Sequence, residues 1–114
     1  MQRASKTELR KFLGAFSPEI ARVALRARAF VLEEAPLAHE LVSDVRDTVV
    51  MRYSFTERPD DAFCRIAVNA ESVDLGLVHD HVRIEQLDDL RQPRVGRLLR
   101  AAMKERKIGR KEGA

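Results

Sequence analysis

Apolar and polar residues in the first third of the chain recur at the spacing of amphipathic helices. Ser5 followed by Glu8 is a capping-box pattern, which predicts a first helix over Lys6–Phe16. Ser17 and Pro18 then predict the start of a second helix, because Ser is a preferred N-cap residue and Pro suits the first helical position. The chain is therefore expected to begin with two helices.

The second helix is predicted to end near Glu34, because its apolar positions follow helical spacing that far and Pro36 ends or kinks the helix. A short helical turn is expected over Leu37–Val42. The apolar positions of the second helix are Ile20, Val23, Ala24, Ala27, Phe30 and Val31. These positions predict the face that packs on the rest of the protein.

From Val45 onward the apolar period changes to two residues, which indicates β-strands with one buried face. The polar sequence TERPDDA forms a loop between the first two strands. The strands that the alternation predicts lie at 45–55, 62–70, 73–77 and 82–84. The alternation places Ile66, Leu75 and Ile84 on the same, buried face.

Two short turns predict how these strands pair, one at positions 71–72 and one at positions 79–80. The resulting pairs are Val68 with Leu75, Ile66 with Leu77, Leu77 with Val82 and Leu75 with Ile84. A slip of one residue would expose the whole apolar set, so the agreement of the two turns is informative. Neither turn has the Asn-Gly or Asp-Gly signature, so slightly longer loops are also compatible with the sequence.

Pro93 is predicted to open a last helix whose apolar residues again follow helical spacing. They are Val95, Leu98, Leu99, Ala102 and Met103. The expected fold class is α+β, with N-terminal helices, a four-stranded antiparallel meander and a C-terminal helix packed on one sheet face. Residues 1–108 form this single domain, and the basic tail at 109–114 is expected to fray.

The other face of the sheet is predicted to be polar. It would carry Arg46, Arg52, Arg65, Asn69, Asp74 and Arg83. Such a face is either solvent surface or half of a binding surface. Arg52 and Arg65 are therefore candidate ligand-binding residues.

Asp47 is a further candidate, because strict alternation from Val45 to Phe55 would aim its carboxylate at the apolar face. An unpaired carboxylate is costly there. Either the strand starts after Asp47, or the carboxylate is buried with a partner such as Tyr53 or Arg52. In the second case a cleft at Asp47 and Tyr53 would be the first ligand site to test.

Composition limits the classes of protein that fit. The chain has 114 residues, of which 45% are hydrophobic, and its single cysteine excludes an internal disulfide and a multi-cysteine zinc site. The basic N-terminus lacks the apolar region of a signal peptide, and no apolar run is long enough for a membrane span. A cytoplasmic protein without a cofactor, monomeric or homodimeric and binding no membrane, is the expectation.

Positive charge is concentrated at the C-terminal end, where nine Lys and Arg residues and two Glu residues from Arg91 onward give a net charge of +7. The rest of the chain is mildly acidic. The residues that would contact phosphates of a nucleic acid are Arg94, Arg97, Arg100, Lys104 and Lys107. A basic helix flank without a binding role is the alternative, and residues 72–114 contain no aromatic side chain for base stacking.

Two groups of residues in the sequence are candidates for metal binding. Glu57, Asp60 and Asp61 share one loop, although such acidic residues are usually a solvated turn. His79 and His81 form a His-x-His pair, but they would flank a turn rather than share a strand face. Cys64 lies on the buried face and is expected to be inert.

Several segments resemble the YdhG-like family of bacterial domains of unknown function. They are ELVSD at 40–44, VVMRYSFTERPDDAFCRIAV at 49–68, VDLGL at 73–77 and HVRIEQLDDLRQPRVGRLLRAA at 81–102. The resemblance spans residues 18–104 and implies a compact α+β fold without an assigned activity. By analogy with a relative described as a frataxin-like iron chaperone, it also implies acidic iron ligands. The glycine-rich loop that many relatives carry between the third and fourth strands is missing, so no function of that loop carries over.

No nucleophile, base and orienting group can be assembled from these residues, so catalysis is the least supported class. A small non-catalytic binding or accessory module is the favoured interpretation, with an unknown small ligand or protein as its partner. Weak nucleic-acid binding and iron binding are the alternatives.

Overall fold

A computed structural model of the chain describes residues 3–112, and the side chains of all of these except Pro59 and residues 107–112. The fold is α+β. Its elements are α1 (Lys6–Leu13), α2 (Pro18–Glu34), β1 (His39–Val45), β2 (Thr48–Ser54), β3 (Cys64–Val68), β4 (Val73–Leu77), β5 (His81–Ile84) and α3 (Pro93–Glu112), with 3-10 turns at Pro59–Asp61 and Leu87–Arg91.

The helix starts are those that the local sequence predicts. The hydroxyl of Ser5 accepts a hydrogen bond from the backbone N–H of Glu8, so the capping box is confirmed, and the hydroxyl of Ser17 caps α2 in the same way. The first helix ends at Leu13 rather than at the predicted Phe16. Gly14 follows it, and glycine is a poor helix former.

The sheet has five antiparallel strands in the order β1-β2-β3-β4-β5, one more than predicted. The helical turn expected over Leu37–Val42 is wrong, because β1 occupies most of that segment. The single strand predicted over 45–55 is also wrong at its start. The chain reverses at Arg46 and Asp47, and Arg46 adopts a left-handed backbone with φ of 58°.

The reason for the missed strand lies in the burial pattern of β1, which is the reverse of the usual one. Glu40 is 5% exposed, whereas Leu41 is 46% and Val45 is 59% exposed. Hydrophobicity alone therefore predicts the wrong buried face for this strand. The same residues are equally compatible with a helical turn.

Strands β3 to β5 have the predicted faces but a register shifted by two residues. Val68 pairs with Val73 and Leu75 pairs with Val82, and the connections hold four residues at 69–72 and three at 78–80. In the first of these loops the amide oxygen of Asn69 accepts hydrogen bonds from the backbone N–H groups of Glu71 and Ser72. Because the side-chain period is two, the shift leaves every apolar residue on the predicted face.

Helices α1, α2 and α3 contribute to one core on a single face of the sheet. The side chains that are less than 2% exposed include Leu9 of α1, Val31 of α2 and Leu99 of α3, together with Met51 and Ile66 of the sheet. Ile66, Leu75 and Ile84 are buried as predicted. We call this the helix-covered face and the opposite one the outer face.

The last helix begins at Pro93 as predicted and continues to Glu112, past Gly109, where the sequence predicts a frayed tail. Residues 113–114 of that predicted tail lie outside the described residues. Among the helices as far as they are described, none combines the length and apolar composition that crossing a bilayer requires.

Candidate functional site

The most polar point of the helix-covered face is the carboxylate of Glu40, whose side chain has no solvent exposure. Arg28 of α2 donates to both carboxylate oxygens, at 2.8 Å from Nε and 3.1 Å from a terminal nitrogen. The hydroxyl of Tyr53 donates to one oxygen at 2.6 Å, and the backbone N–H of Ala4 donates to the other at 3.1 Å. Four hydrogen bonds therefore satisfy this buried carboxylate.

The electrostatics of the cluster agree with a structural role. The hydrogen bond to Glu40 raises the pKa of Arg28, and burial opposes this effect in part. Burial, followed by the adjacent charge of Glu40, raises the pKa of Tyr53 well above its ordinary value. Arg28 and Tyr53 are therefore held as donors to Glu40, and the cluster ties the N-terminal segment, α2, β1 and β2 together.

The predicted cleft at Asp47 and Tyr53 does not form. Asp47 lies exposed in the two-residue turn before β2, so the strand starts after it, which was one of the two alternatives. Tyr53 is near the opposite end of β2, fully buried, and its hydroxyl is bonded to Glu40. The two residues are six positions apart along an extended strand, roughly 20 Å at 3.3 Å per residue, and cannot share a ligand.

The outer face brings Arg52 and Arg65 directly opposite each other on neighbouring strands. Gly76 of β4 lies opposite Arg65 on its other side, and His81 of β5 follows. Like charges at directly opposed positions destabilise a sheet unless something compensates them. Within the described part of the chain, neither guanidinium group has a carboxylate within 4.0 Å or a hydrogen-bond partner.

Both arginines line a cleft of about 160 Å³ between the sheet and the end of α3. Its other polar side chains are those of Arg106 and Asp60, and the backbone at Gly76 forms part of its wall. We call this the arginine cleft. Its lining includes three arginines and one aspartate, whose formal charges sum to +2.

Two contacts position the charges of the arginine cleft. Arg106 donates its Nε–H to the backbone oxygen of Ala62 at 3.2 Å, which holds the end of α3 against the start of β3. The side chain of Arg65 lies over Gly76, where a Cβ atom would come within 3.1 Å of its Cγ and Cζ. Glycine at this position therefore leaves room for the Arg65 side chain over β4.

On β4 and β5, the outer face carries one carboxylate close to two basic side chains. The carboxylate of Asp74 lies 3.3 Å from Nε2 of His81 and 3.5 Å from Nε of Arg83, and it accepts a hydrogen bond from Ser72. One oxygen of Asp74 is inaccessible to solvent, lies near His81 and Arg83, and has no hydrogen-bond partner among the described residues. The contrast with Arg52 and Arg65 singles out the arginine cleft on this face.

The metal candidates do not come together. His79 faces Glu105 at 2.8 Å while His81 faces Asp74, so the two imidazoles contact different carboxylates. Asp61 accepts a hydrogen bond from Thr56, Asp60 lines the arginine cleft, and Glu57 is exposed. Over the side chains that the structure describes, no three His, Cys, Asp or Glu residues form a group that could hold a metal ion.

Cys64 is buried at 3% exposure, and burial raises the pKa of its thiol far above the usual range. The prediction that this cysteine is inert agrees with that environment, because a reactive cysteine needs a stabilised thiolate within reach of solvent.

The basic residues of α3 form an exposed stripe in which Arg94, Arg97 and Lys104 have no ion pair among the described side chains. Arg100 is 3.4 Å from Glu34 of α2, so part of the predicted stripe is engaged within the protein. The side chain of Lys107 lies outside the described residues.

Sequence reasoning missed Glu40, Arg28, Gly76 and Arg106. Glu40 and Arg28 have no local signal, because their pairing joins two elements 12 residues apart. Gly76 did carry a signal, since a glycine inside a strand often marks a close approach by another group. Arg106 was recognised only as one of many basic residues of the last helix.

The chain has no match among protein-family models, curated proteins or solved structures. The resemblance to the YdhG-like family therefore stays a prediction.

Proposed function

We propose that this chain is a small non-catalytic binding domain that recognises an anionic group at the arginine cleft. The observation that carries the proposal is the pair Arg52 and Arg65, opposed on an exposed sheet face without an acidic partner among the described residues. An anion between guanidinium groups would relieve their repulsion and accept charge-assisted hydrogen bonds.

Binding without catalysis is supported by the state of the buried ionisable groups. The carboxylate of Glu40 is fully hydrogen-bonded, Tyr53 is a donor to it, and the pKa of the Cys64 thiol is raised by burial. Cys64 is among the residues that line the arginine cleft, but burial raises the pKa of its thiol and so disfavours the nucleophilic thiolate. The cleft itself offers donors and positive charge, which suit recognition of an anion.

Two double variants of equal charge test this proposal. Arg52→Gln with Arg65→Gln removes two charges from the arginine cleft, and Arg94→Gln with Arg97→Gln removes two from α3. We expect acetate or sulfate, but not glycerol, to shift the amide NMR signals of Arg52, Arg65 and Gly76 beyond the effect of chloride at equal ionic strength. The shifts should vanish in the first variant and persist in the second. The proposal would be refuted if, in the native protein, anions shifted other signals but not those of Arg52, Arg65 and Gly76.

Nucleic-acid binding through α3 is the second candidate, because Arg94, Arg97 and Lys104 form an exposed basic stripe. The same variants separate it from the first. If α3 binds duplex DNA, its affinity falls steeply with salt and drops in the Arg94→Gln, Arg97→Gln variant, while the cleft variant retains it. No binding of the native protein at low ionic strength removes this candidate.

A further inference from the structure

We infer that the arginine cleft takes the terminal phosphate group of a ligand, or a tetrahedral dianion of the same size. This inference rests on the proposed function and specifies the ligand class of the same site. Its first support is charge. Three arginines and one aspartate line the cleft, and the described residues include no ion pair between Asp60 and any of these arginines.

A net charge of +2 matches a dianion better than a monoanion. A phosphate monoester carries a charge of about −1.5 to −2 at neutral pH and offers three acceptor oxygens. A carboxylate carries one charge and two oxygens, so it would leave positive charge uncompensated between Arg52 and Arg65. Charge therefore favours the phosphate-like group.

The size of the cleft limits what part of a ligand it admits. Its volume is about 160 Å³. Clefts for drug-sized ligands run from about 300 to 1,000 Å³, and a water molecule takes about 30 Å³ in the liquid. The cleft therefore accommodates a compact group with a few waters, and the remainder of any larger ligand must extend over the outer face.

Contacts within the protein position two of the three arginines of the cleft before a ligand arrives. The Nε–H of Arg106 is bonded to Ala62, which leaves its terminal amino groups to bind an anion. The Arg65 side chain rests on Gly76, with Cγ, Cζ and Nε all within 3.2 Å of where a Cβ atom would stand. Donors fixed in this way lose less conformational freedom when they bind.

The test measures the affinity of the native protein for inorganic phosphate, O-phosphoserine, sulfate and acetate by NMR titration at equal ionic strength. We expect the three tetrahedral anions to bind at least about fivefold more tightly than acetate. Tighter binding of O-phosphoserine than of inorganic phosphate indicates an esterified ligand, and the reverse order indicates a free oxyanion.

Variants then locate the site. Arg52→Gln and Arg65→Gln should each weaken sulfate binding about tenfold, because each removes a charged donor. Gly76→Ala keeps every charge but displaces Arg65, so we expect about a threefold loss. Arg94→Gln is the matched control and should change nothing, and thermal unfolding confirms that each variant is folded.

The two possible failures are distinct. Acetate that binds the cleft as tightly as sulfate overturns the inference about a dianion and leaves the proposed anion-binding function in place. Anions of every kind that fail to shift the signals of the cleft overturn both. A Gly76→Ala variant that binds sulfate with native affinity would show that the contact between Arg65 and Gly76 does not contribute to binding.

Discussion

Arginine side chains on the two faces of the sheet differ in whether they have partners within the protein. On the helix-covered face, the guanidinium group of Arg28 binds a buried carboxylate and the backbone oxygen of Ala4. On the outer face, Arg52 and Arg65 oppose each other with no acidic partner among the described residues. Arg28 uses three of its five N–H donors within the protein and Glu40 balances its charge, whereas the outer pair donates no hydrogen bond among the described residues. The comparison teaches that an arginine's neighbours, rather than its presence, mark a binding site.

The largest effect should come from removing the charge of the carboxylate that satisfies Arg28. Glu40→Gln leaves the guanidinium group largely buried without its counter-charge, and breaking such a pair costs about 3 kcal/mol. For a domain of this size we expect the midpoint of thermal unfolding to fall by roughly 10 °C. Glu33→Gln, an exposed change on α2, is the control. If the Glu40→Gln variant were as stable as this control, Arg28 would not depend on the charge of Glu40, and the contrast with the outer face would fail.

A smaller effect is expected from pH, through Tyr53. The folded state raises the pKa of Tyr53 well above the ordinary value of about 10. Below about pH 10 both the folded and the unfolded phenol keep the proton, so the stabilisation is fully present. As the pH rises further the unfolded phenol loses its proton first, and the free energy of unfolding decreases.

The measurement for Tyr53 is direct because it is the only tyrosine and the chain has no tryptophan. Tyrosinate absorbance should appear together with unfolding, or at a pH clearly above that of free tyrosine. Tyr53→Phe, which loses about 1.5 kcal/mol at neutral pH, should show the shallower alkaline decline. Equal alkaline slopes for the two proteins would contradict the assigned burial of this phenol.

The smallest effect should be a gain in stability on the outer face. Arg52→Glu converts a repulsive cross-strand pair into an attractive one, which we expect to stabilise the protein by about 0.5 kcal/mol while it abolishes anion binding. Urea unfolding measures the gain. A loss of stability in Arg52→Glu would mean that Arg52 has a structural partner.

Most of the fold was predictable because its signals are local or periodic. Ser5 and Ser17 mark the helix starts because their side chains cap the helices. The two-residue period of apolar positions places Ile66, Leu75 and Ile84 on the buried face. The register was wrong by two residues because the sequence between the strands is equally compatible with shorter turns. The four-residue loop after β3 depends on hydrogen bonds to the Asn69 side chain.

The first strand and the site were less predictable because they depend on residues far apart in the sequence. Glu40 is buried only because Arg28 and Tyr53 donate to it, and no alternation of letters encodes that pairing. Arg52 and Arg65 were recognised as candidates from the polar face. The cleft that they line also includes Arg106. This residue is brought there because α3 packs against the start of β3.

The order of the elements along the chain also has a consequence for synthesis on the ribosome. Each strand pairs with the next one along the chain, so the sheet can assemble as its strands emerge. Val95 and Leu99 of α3, however, are 1% and 0% exposed and belong to the same core. Until this last helix is released, apolar surface on the nascent sheet stays uncovered, and that interval is when the chain is most prone to aggregate.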